Sequence, residues 1–318
     1  MKRRELLLAG VAAALPARAL AQRKPVKIGA LLPRPPAQSN YAPALLKRLD
    51  ELGYRDGAGM TFVYRATDAV ERLPAMAREL AGEKCDLFVA FGAPGARALR
   101  DLRSRVPTVF LSIEGDPVRA GIVTSLRQPE GNITGVFIPA EELVAKRIEI
   151  LREILALRRL LVLSDPGSKN LLAKARSVSE PAGIRIIAAE FERVPYDYAG
   201  AFEHAGSEQA QAFMTTGGPR FSTDTPAIVA LMLKHRLPGI GFVVQHVEAG
   251  MLMSLSSNQQ KAARRTAELA VQVLKGARPE SIPVEQADEF ELAINSSTAK
   301  ALGVKIPESV LARATKII

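Results

Sequence analysis

Short apolar runs alternating with stretches of helical periodicity restrict this chain to a parallel α/β architecture from Val26 onward. The run 26–32 (VKIGALL) ends at Pro33-Arg34-Pro35-Pro36, and Leu45, Leu46, Leu49 and Leu52 then recur at helical spacing until Gly53. A strand is predicted at 60–64 and a helix over 70–80, with Pro74 in its early part where proline is tolerated. Further strands are predicted at 86–91 and 106–111, separated by the loop Gly92-Ala93-Pro94-Gly95 and a helix through Arg103. Such alternation builds right-handed βαβ units around a sheet covered on both faces.

The same grammar restarts after residue 137, with helices predicted over 141–155, 170–180, 198–205 and 222–235. Strands are predicted at 160–163, 184–189, 212–215, 239–244 and 251–255. A long helix, 258–275, stops at Gly276, and a strand at 290–295 precedes short helices near Ala299 and Leu311. The repetition is at the level of half-molecules, so two similar lobes are expected. One comprises 24–135 plus about 251–285, the other 136–250 plus about 286–318. The stretch 112–137 is the seam between them. It is read as a strand end, a ligand-facing loop, a helix started by Asp116-Pro117, and a first hinge strand at Gly131 to Gly135.

Ligands of open α/β sheets bind beyond the carboxyl ends of the strands. The loops there supply the candidate contacts: Arg34 and Ser39; Gly92, Ala93 and Pro94; Ser112, Glu114 and Asp116; Ser164, Ser168 and Asn170; Thr215 and Thr216; and Gln245. Ser164-Asp165-Pro166-Gly167-Ser168 opens a helix, whose free N–H groups suit a carboxylate.

The amino terminus reads as an export signal. Lys2-Arg3-Arg4 precedes an apolar run over 6–15, Pro16 and the small-residue site Ala19-Leu20-Ala21, with cleavage expected before Gln22. That run is too short to span a bilayer, which takes roughly 20 residues. Arg3-Arg4 also resembles a twin-arginine signal. A periplasmic location follows, with no lipid anchor, since no cysteine lies at the cleavage site. Residues 1–21 hold four basic residues against one acidic, so their removal lowers the net charge from +10 to +7. The remaining cations, among them Arg97, Arg100, Lys146, Arg147 and Arg152, lie beside acids in predicted helices and read as solvated surface. Without aromatic–basic interleaving, nucleic acid is not an expected partner.

Catalytic patterns are thin. His204, His235 and His246 fit no metal-ligand spacing, and Gly217-Gly218-Pro219 lacks the Gly-Lys-Ser/Thr of a phosphate loop. No G-x-S-x-G elbow occurs. The single cysteine, Cys85, is read as a small buried hydrophobe. No metal, cofactor or catalytic residue is therefore expected.

Gly115-Asp116-Pro117-Val118, Gly121, Ser125-Leu126 and Pro129-Glu130-Gly131-Asn132-Ile133-Thr134-Gly135 resemble the signature of ABC-transporter substrate-binding proteins of the tryptophan-binding TrpX type. Glu51-Leu52-Gly53-Tyr54, Arg72-Leu73-Pro74, Leu274-Lys275-Gly276-Ala277-Arg278-Pro279 and Phe290-Glu291-Leu292-Ala293-Ile294-Asn295 extend the likeness over 27–318. The resemblance implies two Rossmann-like lobes with parallel sheets joined by a multi-strand hinge, the type I periplasmic binding protein fold. It also implies a monomer that captures an amino acid or other carboxylate by hinge closure and delivers it to an inner-membrane ABC permease. A periplasmic sensor or hydrolase on the same fold is the alternative. Amino-acid-binding members place the ligand carboxylate near the loop holding Ser164, Ser168 and Asn170. They tend to carry an acid for the ligand ammonium where this chain has Gln245. Arg34 and Arg220 would favour an anion if they point inward, and Glu114 is a substitute partner for an ammonium.

Overall fold

The computed structural model describes residues 25–67 and 69–318, with side chains at all of these except 112, 113 and 219. The export signal lies outside the described residues. Strands β1 (Val26–Leu32), β2 (Arg55–Asp56), β3 (Gly59–Ala66), β4 (Leu87–Phe91), β5 (Thr108–Glu114) and β6 (Ile133–Ile138) belong to a first sheet. Strands β7 (Arg159–Ser164), β8 (Arg185–Glu190), β9 (Ala212–Thr215), β10 (Gly239–Gly241) and β11 (Met253–Ser257) belong to a second. The chain then returns to the first sheet for β12 (Glu285–Gln286) and ends in the second with β13 (Phe290–Ile294) and β14 (Lys316–Ile317).

The strand orders are β12-β6-β5-β4-β1-β3-β2 and β14-β13-β11-β10-β9-β7-β8. Every named pairing is parallel except β11 with β13. The continuous apolar runs occupy sheet centres, where both faces are covered: β4 and β6 are buried at every residue.

Three segments cross between lobes, at 138–140, 257–259 and 287–289. Pro139 restricts the first. In the second, Asn258 caps helix Gln259–Leu274 by accepting from Lys261 N at 2.8 Å. The second and third are tied together by Asn258 N donating to the Glu289 carbonyl at 2.8 Å. Helix Gln259–Leu274 then packs on helix Ala42–Glu51 of the first lobe and on the sheet, burying Ala262, Ala263, Ala267 and Ala270. Small residues let the two helices approach closely. Arg48, Glu51, Arg264, Arg265, Glu268 and Glu285 form ion pairs along the rim of that contact.

Several expectations need correction. The strand 253–257 is hydrogen-bonded into the second sheet, whereas the expected division gave about 251–285 to the first lobe. Residues 136–138 lie in the first sheet, beyond the boundary placed at Gly135. Gly135 is no hinge: it sits mid-strand, and a β-carbon there would lie 2.2 Å from the Phe110 carbonyl oxygen of β5. No helix forms between Asp116 and Glu130. Asp116 does accept from Val118 N at 2.8 Å, as a cap would, but Gly121 takes φ +66 and ends the turn. The helix expected over 222–235 is two, Pro219–Thr223 and Thr225–Lys234, and β10 stops at Gly241 because Val244–Glu248 is helical. Cys85 is buried and its thiol is pushed up to about 11 by burial.

Candidate functional site

A cavity of about 30 Å³ lies where the lobes and crossings meet. It is lined at carboxyl ends of parallel strands, by Glu114 of β5, Ile138 of β6, Ser256 and Ser257 of β11, Thr216 just past β9, and Phe242 and Val243 just past β10. Tyr41, Arg147 and Gln259 complete its polar wall. Both sheets therefore contribute, and the lobes are in contact beside the cavity. A β-carbon on Gly217, in the second lobe, would lie 3.5 Å from Glu114 Oε2 in the first. Arg119 of the first lobe donates to Glu141 Oε1 at 2.8 Å, and Asn170 Nδ2 lies 3.5 Å from the same oxygen.

Arg147 dominates the electrostatics. It is only 3% exposed, although its sequence neighbourhood reads as a solvated basic surface. Helix Ala140–Ile154 turns Leu143, Val144, Ile148 and Leu151 inward, and Arg147 lies on that same face, four residues from both Leu143 and Leu151. Its Nε donates to the Leu255 carbonyl at 2.9 Å, and its terminal amino groups have no acceptor among the described residues. Burial lowers its pKa to about 10, opposed by the charge of Glu114, so it remains a cation at neutral pH.

Glu114 presents its carboxylate to water through the cleft mouth. Surrounding protein nevertheless pushes its pKa up, Arg147 opposes that shift and Asp165 adds to it. It makes no hydrogen bond or ion pair among the described residues. Ser257 on the cavity wall has a buried hydroxyl that is likewise without a partner. An unsatisfied polar group in the protein interior is costly, and the Ser257 hydroxyl and Arg147 terminal amino groups on one cavity wall mark a place where something binds.

Of the candidate contacts read from sequence, Glu114 and Thr216 line this cavity. Ser164 and Ser168 are buried behind it. The Ser168 hydroxyl is engaged with Asp165 Oδ1 and Thr216 Oγ1, both at 2.7 Å, and Ser164 Oγ lies 3.5 Å from it. Ser168 closes the capping box at the start of the next helix by accepting from Asp165 N at 3.2 Å, and both serines are buried. Ser39 caps helix Ala42–Glu51 by accepting from Ala42 N at 3.1 Å. Gly92, Ala93 and Pro94, expected in a loop, form the first turn of helix Gly92–Asp101. Asp116 is a cap paired at 3.6 Å with Arg119, and the side chain of Ser112 is not described. Arg34 and Gln245 are exposed and lie off the cavity wall. Arg220 is bound to Asp224 at 2.6 Å, so it is not the free cation of the site.

Arg147, Tyr41, Phe242 and the serines of β11 were missed. For Arg147 the signal was present, as a cation at i+4 and i−4 within an apolar stripe. Phe242 is set by His246, whose ring stands edge-on to it at 4.6 Å between centroids. His246 is itself buried, with Nε2 3.2 Å from Ser222 Oγ. Burial, assisted by the charge of Arg147, lowers its pKa to about 4 and keeps it neutral.

Residues 32–318 match the family described as ABC transporter substrate binding protein. The chain belongs to that family. It is therefore the solute-binding component of an ABC importer, and the family is one of binding proteins, not of enzymes. A tyrosine-binding protein of Clostridioides difficile (strain R20291) is 24% identical over 282 residues, 85% of this chain and 78% of that protein. The crystal structure of a conserved domain protein from Vibrio cholerae superposes with a TM-score of 0.83 at 27% identity, covering 93% of this chain and all of the other. An ABC domain from Streptococcus pneumoniae in complex with L-Trp gives 0.79 at 26% identity, with the same coverage of both chains. The superpositions and the two largely parallel sheets together give the bilobal type I periplasmic binding fold expected from sequence. Among the described residues, no helix is long and apolar enough to cross a membrane.

Proposed function

We propose that this family member captures a small polar ligand, an amino acid or another carboxylate, between its two lobes. Closure about the three crossings then presents a liganded form to the permease in the inner membrane. The export signal carries the chain to the periplasm, with Arg3-Arg4 directing it to the twin-arginine route, and it works there as a monomer. One observation carries the reading: a cavity at the crossings, walled from both sheets, holds the buried cation Arg147, which forms no ion pair among the described residues. The tyrosine-binding and L-Trp-bound relatives supply the ligand class by likeness.

To move from 1% to 99% closed, a ligand must favour the closed form by about 5.5 kcal/mol. Contacts from one lobe cannot discriminate between open and closed, so the ligand must touch both. Native mass spectrometry of the purified protein identifies what travels with it. Small-angle scattering with that compound at saturation should show a smaller radius of gyration. An unchanged radius would refute closure. A thermal-shift screen is the companion measurement, since a ligand at 100 times its Kd adds about 2.7 kcal/mol of stability.

A further inference from the structure

The connection from β5 to β6, residues 115–132, contains the signature stretch, yet none of it lines the ligand cavity. Right-handed crossovers that step the same way across a parallel sheet lie on one face of it. Helix Leu73–Gly82 links β3 to β4 and helix Gly92–Asp101 links β4 to β5, both stepping toward β6. The β5-to-β6 crossover would set a third helix beside Gly92–Asp101, but the chain is irregular there. Ile122, Val123 and Val284 seal the sheet face in its place. These side chains occupy less room than a helix. A groove of about 1130 Å³ is left beside the end of helix Gly92–Asp101, over the amino ends of β5 and β6.

The floor of this groove is packed and apolar, from Leu99, Ile122, Val123 and Ile133. Its walls are polar, and a recess of about 670 Å³ continues it past Ser104, Glu130 and Asn132 to Arg105. Of the charges on these walls, Asp101 is taken by Arg100 and Glu280 by Arg278. Arg103 and Arg105 are exposed and make no ion pair among the described residues. Glu130 is the one wall acid left in the same condition, so the uncompensated charge is cationic. We propose that the groove binds an extended acidic segment of a partner protein, its carboxylates seated on Arg103 and Arg105. A guanidinium presents paired donors that match a carboxylate. The floor offers little open apolar surface for the face of an amphipathic helix, and a recess admits a single chain where a flat bilayer cannot follow. β5 spans seven residues, so at about 3.3 Å per residue the groove lies about 20 Å from the ligand cavity. A segment held there leaves the cavity and the crossings free.

The test is fluorescence anisotropy with a labelled decapeptide alternating glutamate and serine, its glutamine counterpart, and phosphatidylglycerol vesicles as a competitor. The glutamate peptide should bind the wild-type protein and the glutamine peptide should not. Arg103→Glu with Arg105→Glu should weaken binding by about tenfold or more, as for the loss of charged hydrogen bonds. Arg152→Glu with Arg193→Glu makes the same change in net charge at exposed positions of the second lobe, and should leave affinity within about twofold. All four side chains are exposed, and circular dichroism checks that each variant is folded. Amide exchange with the peptide bound should slow over 118–133 and not around the ligand cavity. Equal losses from the two double variants would assign the binding to the general field of a basic chain and overturn the proposal. Vesicles that bind where the peptide does not would assign the arginines to lipid and overturn it too. So would a wild-type protein that ignores the glutamate peptide, or protection that falls elsewhere.

Discussion

Arg147 carries its charge at a cost. Lowering its pKa from 12.5 to about 10 by burial is a penalty on the order of 3 kcal/mol in the ligand-free protein. A buried charge without a partner destabilises a fold, and removing it often restores stability. Arg147→Gln should therefore raise the unfolding free energy of the ligand-free protein by about 1 kcal/mol while ligand binding is lost, as chemical denaturation and calorimetry would show together. A purely structural arginine would lose stability instead. His246 gives a second residue-level expectation. Unfolded, its imidazole takes up a proton near 6.5; folded, it resists until about 4. Its contribution is complete above pH 6.5, declines as pH falls to about 4, and changes no further below that. The total is about 3 kcal/mol, and His246→Gln should flatten the denaturation midpoint over that interval. At this scale the sequence was readable in part. Glu114 follows from its place at a strand's carboxyl end, whereas Ser168 has the right chemistry but spends it on capping the next helix, and Ser164 is buried beside it.

Individual strands depend on neighbours that local sequence cannot specify. β6 approaches β5 so closely at Gly135 that any side chain would meet the Phe110 carbonyl oxygen and ring. Backbone cannot rotate aside as a side-chain tip can. Gly135→Ala should cost at least about 2 kcal/mol, read as a lower urea midpoint with an unchanged m-value. Runs such as 87–91 and 160–163 are legible because burial on both faces demands continuous apolar residues. The two-residue strands β2, β12 and β14 are not, since no periodicity fits in two positions and they pair only because a sheet edge is already there. Asp116-Pro117 shows a third case: a helix start signal used for a single turn.

Across the whole molecule, the half-molecule repeat conveyed two lobes, but apolar pattern does not say to which sheet a strand belongs. That is why 253–257 was expected one crossing too early. Tertiary pairing with β10 and β13 decides it. The lobes also touch through exposed charges, with Arg119 of the first bound to Glu141 at the start of the second. An exposed pair contributes about 0.2–1 kcal/mol, so under the closure proposed Glu141→Ala should weaken apparent ligand affinity by about two- to fivefold. Calorimetry at low and high salt checks this, because screening should shrink the difference.

Ile138, Ala140, Ser257 and Gln259 belong to the crossings and also wall the cavity. A point close to a rotation axis sweeps a short arc while the far rim sweeps a long one. The head group of a ligand would thus be met by nearly the same walls whether the jaws are apart or together. What lies farther out along the cleft supplies the torque. Recognition of the head and commitment to delivery are then mechanically separable: a compound with the right head and the wrong tail would dock and leave again, never handed on.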